Sequence, residues 1–109
     1  MRIRNYPLAV RFFNNLIEED PNFAEAWNKR ATVYFMMGDF DKSMQDIIKT
    51  LELEPRHFGA LDGMGLIFIH QGQYQQAIDV YDKMLEIFPF SIKTMEKKES
   101  IKSIISQST

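Results

Sequence analysis

The chain has 109 residues and a formal net charge of -2, enough length for one domain-sized unit with a modest core. Its 45% hydrophobic and 26% charged content is that of a folded chain rather than a disordered one, and the near-neutral charge gives no pull toward nucleic acid or anionic membrane. The absence of cysteine excludes a disulfide framework and thiolate metal sites and fits a reducing compartment. No stretch approaches the ~20 apolar residues of a membrane helix, and the run YPLAV is too short for a secretory h-region. The expectation is a cytoplasmic protein without membrane insertion, a removed leader being left open.

Helical periodicity runs through the chain, and punctuation cuts it into six segments. Pro7 suits the first turn of a helix ending near Glu18. Asn22-Phe23-Ala24-Glu25 reads as a capping-box variant, opening a helix that stops before Gly38. Asp39 caps the next, which ends near Leu53 because Pro55 forbids continuation. His57 to His70 forms a fourth, closed by Gly72, and Tyr74 to Ile87 a fifth, stopped before Pro89. Ser91 caps a last helix reaching about Ile105, with Ser106 to Thr109 fraying.

The segment from Gly38 to Pro55 returns from Gly72 to Pro89, offset by thirty-four residues at both ends. Asn5 to Pro21 is the same pattern a third time, without the helix that precedes the other two. Tyr6, Phe40 and Tyr74 are equivalent, as are Ala9, Ser43 and Ala77, then Phe13, Ile47 and Tyr81, and finally Pro21, Pro55 and Pro89. Short connections make neighbouring helices antiparallel, so the repeating unit is a helical hairpin.

Trp27, Ala31, Tyr34, Ser43, Ile47 and Pro55 occupy the pattern W-x2-L-G-x2-Y…A-x3-F…P, with Arg30 where leucine is usual. Leu61, Met64, Gly65, Phe68, Ala77, Tyr81 and Pro89 fill it a second time, lacking only the tryptophan. The chain therefore resembles the tetratricopeptide repeat (TPR) family over roughly Asn5 to Phe90. The resemblance implies an all-α, right-handed α-solenoid of about two and a half TPR hairpins with a C-terminal capping helix. It is read as a single domain over 1–109, with a half repeat at 5–21, repeats at 24–57 and 58–91, and the cap at 92–106. Small residues let the helix backbones approach and large ones fill the gaps beside them.

No constellation of catalytic residues is present, so neither an enzyme nor a cofactor is expected. His57 and His70 lack a histidine or glutamate partner at metal-ligand spacing, and His57 is read as an exposed histidine in a turn. Glu18-Glu19-Asp20 suits the positive end of a helix dipole and lacks the alternating ligands of a calcium loop. Arg2, Arg4 and Arg11 form a small basic cluster, and Lys93, Lys97, Lys98 and Lys102 read as the solvated face of a terminal helix.

The resemblance implies a non-catalytic protein–protein interaction module or scaffold, holding a peptide or partner helix in a concave groove lined by the first helices of its repeats. Carried across by position, that face comprises Glu25, Asn28, Thr32, Phe35 and Met36, then Gly59, Asp62, Leu66, Ile69 and His70, then Lys93, Glu96 and Lys97. Each set recurs at three- and four-residue steps, which places it on one side of its helix. Phe35, Met36, Leu66 and Ile69 are either an apolar anchor patch or packed against one another, and Phe35 is the first choice of anchor. A clamp for the C-terminal tail of a chaperone is a weaker alternative. Lys93 and Lys97 match such a clamp, whereas Asn28, Thr32 and Gly63 do not supply its lysine and two asparagines. Arg30 is expected to send its charge to solvent or to Glu18 or Glu19.

Leu8 and Phe12 are apolar where the equivalent positions hold Lys42 and Asp46, then Gln76 and Val80. Either the chain is a piece of a longer array, or two chains pair through that face as a structural, self-associating homodimer.

Overall fold

The computed structural model describes residues 5–107 and holds six α-helices among them, with no strand. They are α1 (Tyr6–Glu19), α2 (Ala24–Met36), α3 (Phe40–Leu53), α4 (Phe58–His70), α5 (Tyr74–Ile87) and α6 (Ile92–Gln107). Arg2 and Arg4 of the basic cluster lie outside the described residues, as do Ser108 and Thr109. Ser106 and Gln107, expected to fray, are helical.

Local chemistry explains the boundaries. Asn5 Oδ1 accepts the Leu8 N–H at 3.1 Å, and Asp39 Oδ1 accepts that of Lys42 at 3.2 Å. Ser91 Oγ accepts the Thr94 N–H at 3.3 Å. Asn22 does not cap α2. The cap position is Phe23, with no side-chain bond, and the Asn22 N–H donates to Asp20 Oδ1 at 3.1 Å. Asn22 sits one residue too early to reach the free amides of the first turn.

Helices α2 and α4 end alike. Gly38 and Gly72 adopt φ of 80° and 73°, the left-handed conformation that costs glycine least. The Gly38 N–H donates to the Phe35 carbonyl (2.9 Å) and the Asp39 N–H to that of Tyr34 (2.9 Å). Gly72 and Gln73 repeat this on Ile69 (3.0 Å) and Phe68 (2.8 Å), so both ends are Schellman motifs. Helices α3 and α5 stop differently, one residue before Pro55 and Pro89, at Glu54 and Phe88 in extended conformations.

The chain forms two compact units that meet in sequence between Ala60 and Leu61, inside α4. In the first, α2 packs on both α1 and α3. Ile17, Ala24, Ala26, Ala31, Val33 and Ile47 are buried there. Close approach of α2 and α3 occurs at Ala31, whose carbonyl accepts from Ser43 Oγ at 2.7 Å. A hydroxyl at that point of the repeat is thus satisfied rather than stranded.

In the second unit α5 packs on α6, and Leu61, Ile67, Ala77, Val80, Tyr81, Met84 and Ile101 are buried. Gly65 is needed because Tyr81 fills the space beside it. A Cβ on Gly65 would lie 2.8 Å from Tyr81 Cε1. The first unit holds Ala31 and Ile47 at the equivalent positions. The two repeats solve one packing problem with different divisions of volume.

Candidate partner-binding faces

On α2, Asn28, Thr32, Phe35 and Met36 follow one another at helical spacing. Thr32 and Met36 are exposed, whereas Asn28 and Phe35 are half-buried. Phe35 is braced by the Phe40 ring, with centroids 5.2 Å apart and planes tilted 52°. Lys29 lies exposed beside Thr32. It shares its place in the repeat with Lys97, sixty-eight residues on.

His57 is not an exposed turn residue. It is half-buried, its Nδ1 accepts the Ala60 N–H at 3.0 Å, and its Nε2 lies 2.9 Å from Glu25 Oε1. An Nδ1 that accepts must be unprotonated, so Nε2 carries the hydrogen and donates it to Glu25. His57 is the N-cap of α4 and a tie from that cap to the first turn of α2. A cap made by a histidine ring lies outside the usual Ser, Thr, Asp and Asn set, which is why the spacing did not flag it.

In the second unit, Asp62, Leu66 and Ile69 are half-buried on α4 and His70 is exposed. Lys97 Nζ donates to Asp62 Oδ1 at 2.7 Å, tying α6 to α4. Lys93 is exposed at the start of α6. The lysines of α6 do not form a purely solvated face. Lys98 and Lys97 are half-buried, Lys98 Nζ lies 2.6 Å from Asp82 Oδ1, and Lys102 Nζ is 3.6 Å from Glu99 Oε2. The Asp82 hydrogen bond raises the Lys98 pKa against the opposing effect of burial. A depression of about 360 Å³ beside them is lined by Gln75, Ile78, Lys98, Lys102, Ile105 and Ser106. Both of its lysines already have carboxylate partners, so it offers an anion no uncommitted charge.

Arg30 departs most from expectation. Its Nε and Nη2 donate to Asp46 Oδ2 and Oδ1, both at 2.8 Å, and Nη1 donates to Asn14 Oδ1 at 2.7 Å. The guanidinium carbon lies 5.1 Å from the Trp27 ring centre and 5.8 Å from that of Tyr34. The charge thus goes inward to Asp46 rather than to Glu18, Glu19 or solvent. A planar fork that can chelate a carboxylate and stack on two rings gains more there than in water. The hydrogen bond to Asp46 raises the arginine pKa further, with burial opposing it. The arginine is a structural tie joining α1, α2 and α3.

Tyr81 is a further buried polar feature. Its side chain is 0% exposed and its hydroxyl has no hydrogen-bond partner among the described residues. Burial, with the Asp62 charge adding to it, pushes its pKa up to about 12. Among the described residues no group of three or more histidine and carboxylate side chains converges to hold a metal. No helix there is long and apolar enough to cross a membrane.

Residues 12–45 and 58–91 each match a family model described as a tetratricopeptide repeat. The chain belongs to the tetratricopeptide repeat family. It is 45% identical over 83 residues to a TPR repeat-containing protein of Rhizobium etli, the match spanning 76% of this chain and 41% of that protein. It is 27% identical over 104 residues to Hsp70-Hsp90 organizing protein 2 of Arabidopsis thaliana, spanning 95% of this chain and 18% of that protein. The chain thus covers less than half the length of either relative. The solved structure of the first TPR of Spaghetti (RPAP3) bound to the HSP90 peptide SRMEEVD superposes with a TM-score of 0.85. It is 19% identical, and the superposition covers 93% of this chain and 82% of that one. The all-α TPR helical-repeat fold expected from the sequence is the fold observed.

Proposed function

We propose that this chain is a non-catalytic protein-interaction module that captures a peptide or helix of another protein on the exposed sides of α2 and α4. The supporting observation is the recurrence of a partly solvent-exposed stripe at one register of the repeat. Thr32 and Met36 on α2 return thirty-four residues later as Leu66 and His70 on α4. On both helices the neighbouring small residue, Ala31 or Gly65, is buried against the second helix of its own hairpin. A helix whose packing obligations are met on one side and whose other side carries Phe35, Met36, Leu66 and Ile69 suits an amphipathic or apolar segment. Family membership and the Hsp70-Hsp90 organizing relative support the same class of role.

The chaperone-tail reading is weaker on this chain's own residues. Lys97 is neutralised by Asp62 at 2.7 Å, and Asn28, Thr32 and Gly63 do not supply the remaining groups. An acidic tail would have to displace Asp62 before it met Lys97. Titration with the peptide SRMEEVD is expected to show no saturable micromolar binding, and saturable binding would restore that reading.

The role itself is tested by capture from the source lysate with the wild type, Met36→Glu and Leu66→Glu. Both positions leave part of the side chain in solvent, so helical content and melting should hold while capture is lost. Equal capture by all three proteins would move the binding face elsewhere.

A further inference from the structure

We infer that His57 is a proton-operated cap: a second ring proton withdraws it from the first turn of α4 and leaves it bound to Glu25 on α2. The inference concerns one turn of the first unit and stands whether or not the faces above capture a partner. The repeat places an N-cap at one register, Phe23 before α2, His57 before α4 and Ser91 before α6. Phe23 makes no side-chain bond, and Ser91 Oγ accepts the Thr94 N–H at 3.3 Å. In α4 the equivalent amide, that of Ala60, donates to a ring nitrogen, His57 Nδ1, at 3.0 Å. The side-chain caps of α1 and α3 are the Asn5 amide and the Asp39 carboxylate. Among these kinds of group only an imidazole ordinarily changes charge between pH 5 and 8.

The two ring nitrogens serve two helices. Nδ1 accepts from α4, while Nε2, 2.9 Å from Glu25 Oε1, donates to α2. An added proton goes to Nδ1, the nitrogen without a hydrogen, and turns it from acceptor to donor. It then faces the Ala60 N–H donor against donor. Turning the ring over gives no relief, because it exchanges Nδ1 for a ring carbon. The ring already lies against Gly59, where a Cβ would meet Cε1 at 3.3 Å and Nδ1 at 3.6 Å, so it has no closer seat on α4. Ala60 is 0% exposed, and its amide reaches water only if the turn opens. The Nε2 contact meanwhile becomes a charge-assisted pair with Glu25. Low pH thus exchanges the cap for a stronger tie to α2. The charged groups around the ring are Glu25 on α2, Lys29 with its Nζ 3.9 Å from Glu25 Oε2, and Glu54 and Arg56, exposed in the turn that carries His57. On α4 the first charge is Asp62, which Lys97 holds at 2.7 Å.

NMR of the nitrogen-labelled chain between about pH 7.5 and 4.5 tests this with the ring observed directly. At the upper end the His57 nitrogen shifts should be those of the Nε2–H tautomer. As the ring gains its second proton, the Ala60 amide proton should move upfield with the same midpoint, losing its hydrogen-bond shift. The Thr94 amide, capped by a hydroxyl at the same register, should stay in place and serves as the internal control. His57→Asn puts an acceptor at the cap that no proton converts in this range, and Ala60 should then hold still throughout. A ring carrying its proton on Nδ1 at the upper end would overturn the proposal, as would a ring that gains no proton by the lower end. An Ala60 amide that ignores the ring's protonation would also overturn it, and both of these readings come from the wild type alone. An equal Ala60 response in His57→Asn would do the same.

Discussion

Arg30 and Asp46 occupy positions that hold Met64 and Val80 one repeat later, so the fold itself supplies the apolar alternative to this ion pair. The side chains of the pair are 18% and 5% exposed, and stranding one member of such a pair costs about 3–5 kcal/mol. Arg30→Met leaves the Asp46 carboxylate buried alone, and the loss should fall in that range. Asp46→Val leaves a guanidinium that keeps Asn14, two aromatic faces and some solvent, so about 2–3 kcal/mol is expected. The double substitution Arg30→Met, Asp46→Val removes the desolvation penalty with the attraction and should lie within about 1 kcal/mol of wild type. The two changes are then coupled by more than about 3 kcal/mol, which a double-mutant cycle resolves easily. Urea unfolding followed by tryptophan fluorescence is the assay, because Trp27 is the only tryptophan and sits 5.1 Å from the guanidinium carbon in the unit concerned. Shifted midpoints at constant slope report stability. If the double variant loses the sum of the single losses, Arg30 and Asp46 do not act as a pair and the account of this unit is wrong.

Two further outcomes follow from the second unit. Gly65→Ala should cost about 1–3 kcal/mol by overpacking, since its Cβ would meet Tyr81 Cε1 at 2.8 Å. Adding Tyr81→Ile, which reproduces the Ala31 and Ile47 combination of the first unit, should restore most of the melting temperature, and a neutral Gly65→Ala would refute the packing argument. Tyr81→Phe should be neutral or stabilising, because it removes a buried hydroxyl without a partner. It should also remove a pH effect. The folded phenol keeps its proton to about pH 12 while the unfolded one ionises near pH 10. Its contribution is therefore constant below pH 10 and lost as pH rises toward 12, by on the order of 2 kcal/mol. An equal alkaline loss in wild type and Tyr81→Phe, measured by urea titration across that window, would contradict the shift.

The fold was legible because its signals are local and repeat. Gly38 and Gly72 each need a left-handed turn, Pro55 and Pro89 each stop a helix, and Tyr74 to Ile87 begins and ends where the punctuation says. The Ala31, Ser43 and Gly65, Ala77 positions announce close helix approach by their size. The missed features depend on which residues meet across the fold. Asp46 gave no sign of being Arg30's partner, because its equivalents Phe12 and Val80 are apolar and the pair exists in one repeat only. His57 binds through ring geometry that spacing does not encode. The commitment of Lys97 and Lys98 to Asp62 and Asp82 is likewise tertiary, since α6 alone shows only a lysine-rich helix.

The proposed role is tested most directly by amide NMR shifts of the labelled chain on adding the partner segment recovered by capture. Displaced amides should cluster at Thr32, Phe35 and Met36 on α2 and at Leu66, Ile69 and His70 on α4, with affinity at least tenfold weaker for Met36→Glu. Shifts gathered instead on the outer sides of α3 and α5, with Met36→Glu binding as wild type, would contradict it.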